Sequence, residues 1–187
     1  MDQNEVTSEG ANGRSGTPEA YFDQAAATWD DNPTRVELAR TVARGILAEV
    51  PLMADMVVMD FGCGTGLITR ALAPEVASVV AADTSSEMLA VLDAKAKASG
   101  LNNVQPLPLE AGYPSPVGSQ FDAIVSSMVF HHVEDLPALL ARFAHWLRPG
   151  GWLAIADLEP EDGSFHRGDA HVIHHGIDPG HLGSQLV

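Results

Sequence analysis

Two acids, Asp60 and Asp83, each close an apolar run, and glycines at 62, 64 and 66 follow the first of them. Val57–Val58–Met59 runs into Asp60–Phe61–Gly62–Cys63–Gly64–Thr65–Gly66, then into the helix-like Leu67–Ile68–Thr69–Arg70–Ala71–Leu72. That is the pattern of a buried strand ending in a tight turn into a helix. Glycine lets a ligand lie against the main chain, the helix start supplies free N–H groups, and Asp60 sets a negative charge beside them. A site with both polarities suits a zwitterionic ligand better than a bare phosphate. The dinucleotide fingerprint wants G-x-G-x-x-G; Gly62 and Gly64 fit it, but Leu67 stands in the third place. No Gly-Lys-Ser/Thr follows, which sets aside the phosphate-binding P-loop. An ordinary glycine-rich strand-to-helix turn remains the bland alternative for this segment taken alone.

The elements that must position these residues alternate along the chain. Pro18–Asp30 carries Tyr21, Phe22 and Trp29 at helical spacings, and Asn32–Pro33 is a helix start with Asn as N-cap. Val36, Ala39, Val42, Ala43, Ile46, Leu47 and Val50 continue it as an apolar stripe that Pro51 ends. Strands are expected at Val57–Asp60, Val76–Ala82, Val104–Leu109, Phe121–Ser127 and Trp152–Ala156. Pro106 and Pro108 confine the third to a sheet edge. Thr84–Ser85–Ser86–Glu87 has the form of a capping box opening a helix to Gly100. Leu136, Leu139, Leu140, Phe143 and Leu147 mark another helix, stopped by Pro149–Gly150–Gly151. Strands alternating with helices imply a parallel sheet covered on both faces. In such sheets ligands sit at the carboxyl ends of the strands, and here those ends carry Asp60, Asp83, Glu110–Ala111, Ser126–Ser127 and Asp157. Asp83 stands about where a ribose-binding acid belongs.

Composition narrows the class. A chain of 187 residues is enough for one domain with a sizeable core. A net charge of −15, with only ten basic residues and no basic run, argues against a nucleic-acid substrate. The single cysteine, Cys63, rules out an intrachain disulfide and points to a reducing compartment. Met1–Gly16 is polar, without the apolar core of a signal peptide, and no apolar run reaches membrane-spanning length. The expectation is a cytoplasmic protein with no membrane partner: a disordered tail over 1–17, helices over 18–50, and a core over 51–187.

The ordered set DFGCGTG, VVAADTSSEML, FDAIVSSMVFHHV and LRPGGWLAIADL resembles the class I S-adenosylmethionine-dependent methyltransferases of the small-molecule type. The likeness covers roughly Tyr21 to Ile177. It implies a Rossmann-like three-layer α/β/α sandwich with a mostly parallel sheet, S-adenosyl-L-methionine as cofactor and a small-molecule methyl acceptor. By the same resemblance Asp60, Gly62, Gly64 and Gly66 surround the methionyl moiety. Asp83 accepts from the ribose hydroxyls, and Thr84 and Met88 flank the adenine. Glu110 and Ala111 meet the adenine edge, although most relatives carry Asp where Glu110 stands. Ser126 lines the cofactor near its reactive end. Cys63 is a small lining residue rather than a nucleophile, since no base neighbours it. Tyr21, Phe22 and Trp29 either close a lid over the pocket or simply pack helices.

An acceptor hydroxyl or acidic carbon needs a general base, and histidine suits neutral pH. His131 and His132, just past the fourth strand, are candidates for that base or for a substrate contact, against plain loop packing. All eight histidines lie after Phe130, and His171, His174 and His175 with Asp169 could suggest a metal. Methyl transfer from a sulfonium needs none, and no cysteine cluster or HExxH accompanies them, so no metal is expected. The family's sheet normally has seven strands, and after the fifth only a helix start at Pro179–Val187 remains here. The expectation is a core lacking the last two strands, with Trp152–Ala156 as an unpaired edge prone to self-association. A non-catalytic module that binds the cofactor or a partner is the alternative function. The segment Ser126–Ser127–Met128–Val129 disfavours methylation of DNA amino groups.

Overall fold

The computed structural model of the protein describes residues 17–109, 120–165 and 172–184. Apart from Thr17, the expected tail lies outside these, as do Glu110 and Ala111. The chain opens with α1 (Pro18–Ala25), a 3-10 turn (Ala26–Asp31) and α2 (Pro33–Glu49). Next come β1 (Val57–Phe61), α3 (Thr69–Leu72), β2 (Ser78–Asp83), α4 (Ser86–Ala98) and β3 (Val104–Pro108). The remainder is β4 (Phe121–Ser127), a 3-10 turn at Phe130–His132, α5 (Leu136–Trp146), β5 (Leu147–Ala156) and α6 (Pro179–Ser184).

The five strands pair in parallel in the order β3-β2-β1-β4-β5. The chain winds outward from β1 to β3, then crosses back to place β4 on the other flank of β1. The carboxyl ends of β1 and β4 therefore meet at a topological switch point, where open α/β sheets bind ligands. Period-two alternation in β1 sorts its residues between two cores. Val58 packs with Ala43 and Ile46 of α2 and Leu72 of α3. Met59 and Phe61 face Phe143 and Trp146 of α5. Asp60 shares the Val58 face and so turns toward α3. The two cores make three layers, α/β/α.

Four local readings need correction. The helix after the glycines is regular only over Thr69–Leu72 and tightens to a 3-10 turn at Ala73–Glu75, where Pro74 removes an N–H donor. The cap of α4 is Ser85, whose hydroxyl accepts from Met88 N at 3.1 Å, not Thr84. The third strand ends at Pro108 rather than Leu109, on the sheet edge its prolines require. The fifth strand begins at Leu147, so Pro149–Gly150–Gly151 lies inside it. Pairing jumps from Phe121↔Leu147 to Ala123↔Trp152, a bulge that absorbs the proline. Asn32 does cap α2 as expected, accepting from Thr34 N at 3.0 Å. Among the described residues β5 forms one sheet edge, and its Trp152 is exposed.

Phe143 joins the α5 layer to the sheet. It is fully buried, with ring centroids 5.0 Å from Phe61 and 5.8 Å from Trp146. Phe143→Ala should lower unfolding free energy by about 3–5 kcal/mol. Denaturant titration would show a lower midpoint at an unchanged slope.

Candidate functional site

The glycine loop hangs from the end of β2. Gly62 N and Cys63 N both donate to the carbonyl of Ala82, at 2.7 and 3.1 Å. Gly64 N then donates to Asp83 Oδ2 at 2.7 Å, while Ser85 N donates to the other carboxylate oxygen at 2.9 Å. One side chain thus ties the loop after β1 to the first turn of α4. Gly64 has φ of +53°, a left-handed conformation that a side chain would strain. No atom lies within 4 Å of the place where its Cβ would stand, so the loop offers bare backbone to open space. The neighbouring glycines do the opposite. Leu92 of α4 fills the space beside Gly66, and Val129 fills that beside Gly62.

Burial dominates the electrostatics. It pushes the Asp60 carboxyl from its ordinary 3.8 up to about 6, with a bond from the Thr69 hydroxyl opposing and the Asp83 charge adding. The folded protein therefore holds this proton more tightly than the unfolded chain does. Stability falls as pH rises through the interval from 3.8 to about 6. Burial also raises Asp83, against the N–H donors of Ser85, Gly64 and Thr84. Cys63 is buried, its thiol well above the ordinary range for the same reason and because Asp60 and Asp83 lie near. A thiol so held is not a nucleophile.

The exit of β4 forms the facing wall. Met128 adopts φ of +59°, uncommon for a side-chain-bearing residue. The turn directs Val129 N and Phe130 N onto Asp157 Oδ2, at 3.0 and 2.8 Å. Asp157 Oδ1 meets His131 Nδ1 at 2.6 Å, and both side chains are almost wholly enclosed. Burial works against the Asp157 charge, but the His131 and backbone bonds outweigh it and hold the carboxyl below its ordinary range. His131 is thus built into the wall beyond β5, whereas His132 is half-buried with its ring 5.4 Å from Phe22 of α1. Ser126 donates its hydroxyl to the carbonyl of Phe61 at 2.9 Å, holding β4 to β1. Thr84 is half-buried at the start of α4, and Met88 is fully buried.

Two acids absent from the sequence expectations complete the surroundings. Asp23 of α1 accepts from Ser85 Oγ at 2.6 Å and from Glu87 N at 3.3 Å. Asp30 accepts from Thr65 Oγ1 at 2.6 Å and pairs with Lys95 Nζ at 2.5 Å. Each lies dozens of residues from its partner, so no spacing rule could flag it. Of the 18–50 segment, α1 and the 3-10 turn therefore rest on the glycine loop and α4, while α2 packs against β1 and α3. Of the histidines raised as metal ligands, His174 meets the Val133 carbonyl and His175 lies 3.5 Å from Glu161. His171 and Asp169 fall outside the described residues, among which no group of three or more donors suits a metal ion. No described helix is long and apolar enough to cross a membrane.

A methyltransferase-domain family matches residues 58–151, half of the chain. An uncharacterized methyltransferase of Schizosaccharomyces pombe is 32% identical over 138 residues, covering 66% of this chain and 48% of that protein. A ubiquinone biosynthesis O-methyltransferase of Rhizobium johnstonii is 32% identical over 131 residues, covering 68% and 52%. The trans-aconitate 2-methyltransferase of Deinococcus radiodurans is 36% identical over 144 residues, covering 75% and 53%. The chain spans about half the length of these relatives. In fold it is similar to a SAM-dependent methyltransferase from Aquifex aeolicus, with a TM-score of 0.67 at 22% identity over 91% of this chain and 87% of that one. The parallel sheet, the glycine loop at its switch point and the matched domain agree: the chain belongs to the class I S-adenosylmethionine-dependent methyltransferases.

Proposed function

We propose that the glycine loop and Asp83 bind S-adenosylmethionine and that the protein transfers its methyl group to a small-molecule acceptor. The observation that carries this reading is the contact of Gly64 N with the Asp83 carboxylate beside an open flank of backbone. A carboxylate has about four acceptor positions, and the N–H donors of Gly64, Ser85 and Thr84 leave it capacity for a further donor such as a ribose hydroxyl. The bare backbone at Gly64 accommodates a ligand at a distance that any side chain would forbid. Asp60, held by Thr69 and charged at neutral pH, supplies the negative side of a zwitterion site. Thr84, half-buried just past β2, is proposed for the adenine side, with Met88 buried behind it and Glu110 and Ala111 assigned there by the family pattern. Cys63 and Gly62 complete the loop, and Ser126 acts by fixing the two strand ends that flank it.

The bound cofactor supplies an activated methyl for in-line displacement by the acceptor. The protein's own part is orientation and exclusion of water. Residues 18–50 are proposed as lid helices over the site, and residues 51–187 as the binding core. Of the two histidines, His132 is the one proposed to take the acceptor's proton, because His131 is enclosed and engaged by Asp157. His131 positions the turn that presents it. The relatives named for ubiquinone biosynthesis and for trans-aconitate support a small-molecule acceptor.

Two substitutions test this reading. S-adenosylhomocysteine at a hundred times its Kd should stabilise the wild type by about 2.7 kcal/mol, and Asp83→Ala should remove most of that gain in a thermal-shift titration. A wild type with no response overturns the proposal. Asp60→Asn keeps an acceptor for Thr69 but removes a buried charge. It should stabilise the ligand-free protein at neutral pH by roughly 2–3 kcal/mol, and flatten the loss of stability between about pH 4 and 6. The same variant should bind the ligand more weakly, which calorimetric titration would show.

A further inference from the structure

The N-terminal segment touches the site through two carboxylates, and each reaches a different part of it. Asp23 sits on the first turn of α4, where its Oδ1 accepts from the N-cap hydroxyl of Ser85 and from Glu87 N. Ser85 in turn accepts from Met88 N and donates its own N–H to Asp83. Asp30 lies farther along, its Oδ1 accepting from Thr65 in the middle of the glycine loop and its Oδ2 paired with Lys95 on the second half of α4. Thr65 is buried, and the Asp30 and Lys95 side chains are only 24% and 31% exposed. The pair is therefore screened less by solvent than the surface pair Lys97–Asp93, in which Lys97 is 74% exposed. Phe22 and Trp29, each the residue before one of the two acids, stack edge to face at 5.8 Å. The N-terminal strap thus carries an aromatic contact alongside its two carboxylate clasps.

The geometry points to a latch: Asp23 and Asp30 fasten the N-terminal segment across the glycine loop and α4, and their release governs how fast the cofactor exchanges. The inference rests on the cofactor reading above and adds to it the regulation of that site. Neither acid lies on the methyl-transfer path. They are positioning residues, acting through Ser85 and Thr65 on the two backbone segments that Asp83 joins. Breaking either clasp loosens one end of the strap. A charge-assisted hydrogen bond in a partly enclosed place is strong enough to alter an opening rate by an order of magnitude.

The test is a chase. The full chain is loaded with tritiated S-adenosylmethionine, then mixed with excess unlabelled S-adenosylhomocysteine, and the release of label is timed. Asp23→Ala and Asp30→Ala should each release label about tenfold faster than the wild type. Thr65→Val, which removes the hydroxyl at constant shape, should also speed release, and adding it to Asp30→Ala should change little because the bond it cuts is already lost. Thr65→Ser keeps the hydroxyl and should release at the wild-type rate, a rescue that loss of general stability would not give. Lys95→Met weakens the same clasp from its other side should Asp30→Ala fold poorly. If the acid and Thr65→Val variants all release within about twofold of the wild type, the latch is overturned while the cofactor site stands. A wild type that retains no label overturns both.

Discussion

A single carboxylate joins the two segments on which the site depends. Asp83, at the end of β2, receives Gly64 N on one oxygen and Ser85 N on the other. Without it, the loop after β1 and the first turn of α4 would keep the Ala82 carbonyl, the Asp23 and Asp30 bonds and side-chain packing, but lose the direct tie between their backbones. The carboxylate is nearly buried, and burial alone disfavours its charge. The N–H donors that surround it offset part of that cost, and its carboxyl still lies above its ordinary range. Burial raises Asp60, one strand away, as well, with the Thr69 hydroxyl opposing. The two acids thus differ in environment: one is a structural clasp with spare acceptor capacity, the other a charge that the fold tolerates at the expense of stability. Destabilising groups of this kind concentrate at working sites.

What could be read in advance followed from local rules. Glycine spacing after an apolar strand located the loop, and the alternation of periodicities gave a parallel sheet with helices on both sides. Asn32–Pro33 announced the start of α2, and two prolines placed β3 on an edge. The errors share a different cause, tertiary pairing overriding local preference. Pro149–Gly150–Gly151 has the composition of a turn, yet the bulge opposite Asp122 absorbs it into β5. Thr84 and Ser85 are equally good caps by composition, and the Asp83 and Asp23 bonds select Ser85. Asp23, Asp30 and the enclosed His131–Asp157 pair were silent for a plainer reason. Contacts across the fold have no period in the sequence, so residue type alone could not separate them from solvated acids and loop histidines.

The domain supplies a binding frame, and the relatives show how differently such a frame is used. Proteins at 32–36% identity are named for ubiquinone biosynthesis and for trans-aconitate, and this chain spans about half of their lengths. The matched methyltransferase domain, residues 58–151, contains the switch point, the glycine loop and both acids. The fold alone does not set the acceptor, since function lives in the sites built on it.

Trp29 lies next to Asp30 in the chain, and the guanidinium of Arg35 sits 3.9 Å above the centre of its ring. An indole under a cation, stacked against Phe22 and adjacent to a clasping acid, has emission that depends on all three neighbours staying in place. The molecule therefore carries an intrinsic fluorophore beside the Asp30 clasp: opening of the strap would register as a change in indole light output, with no label attached.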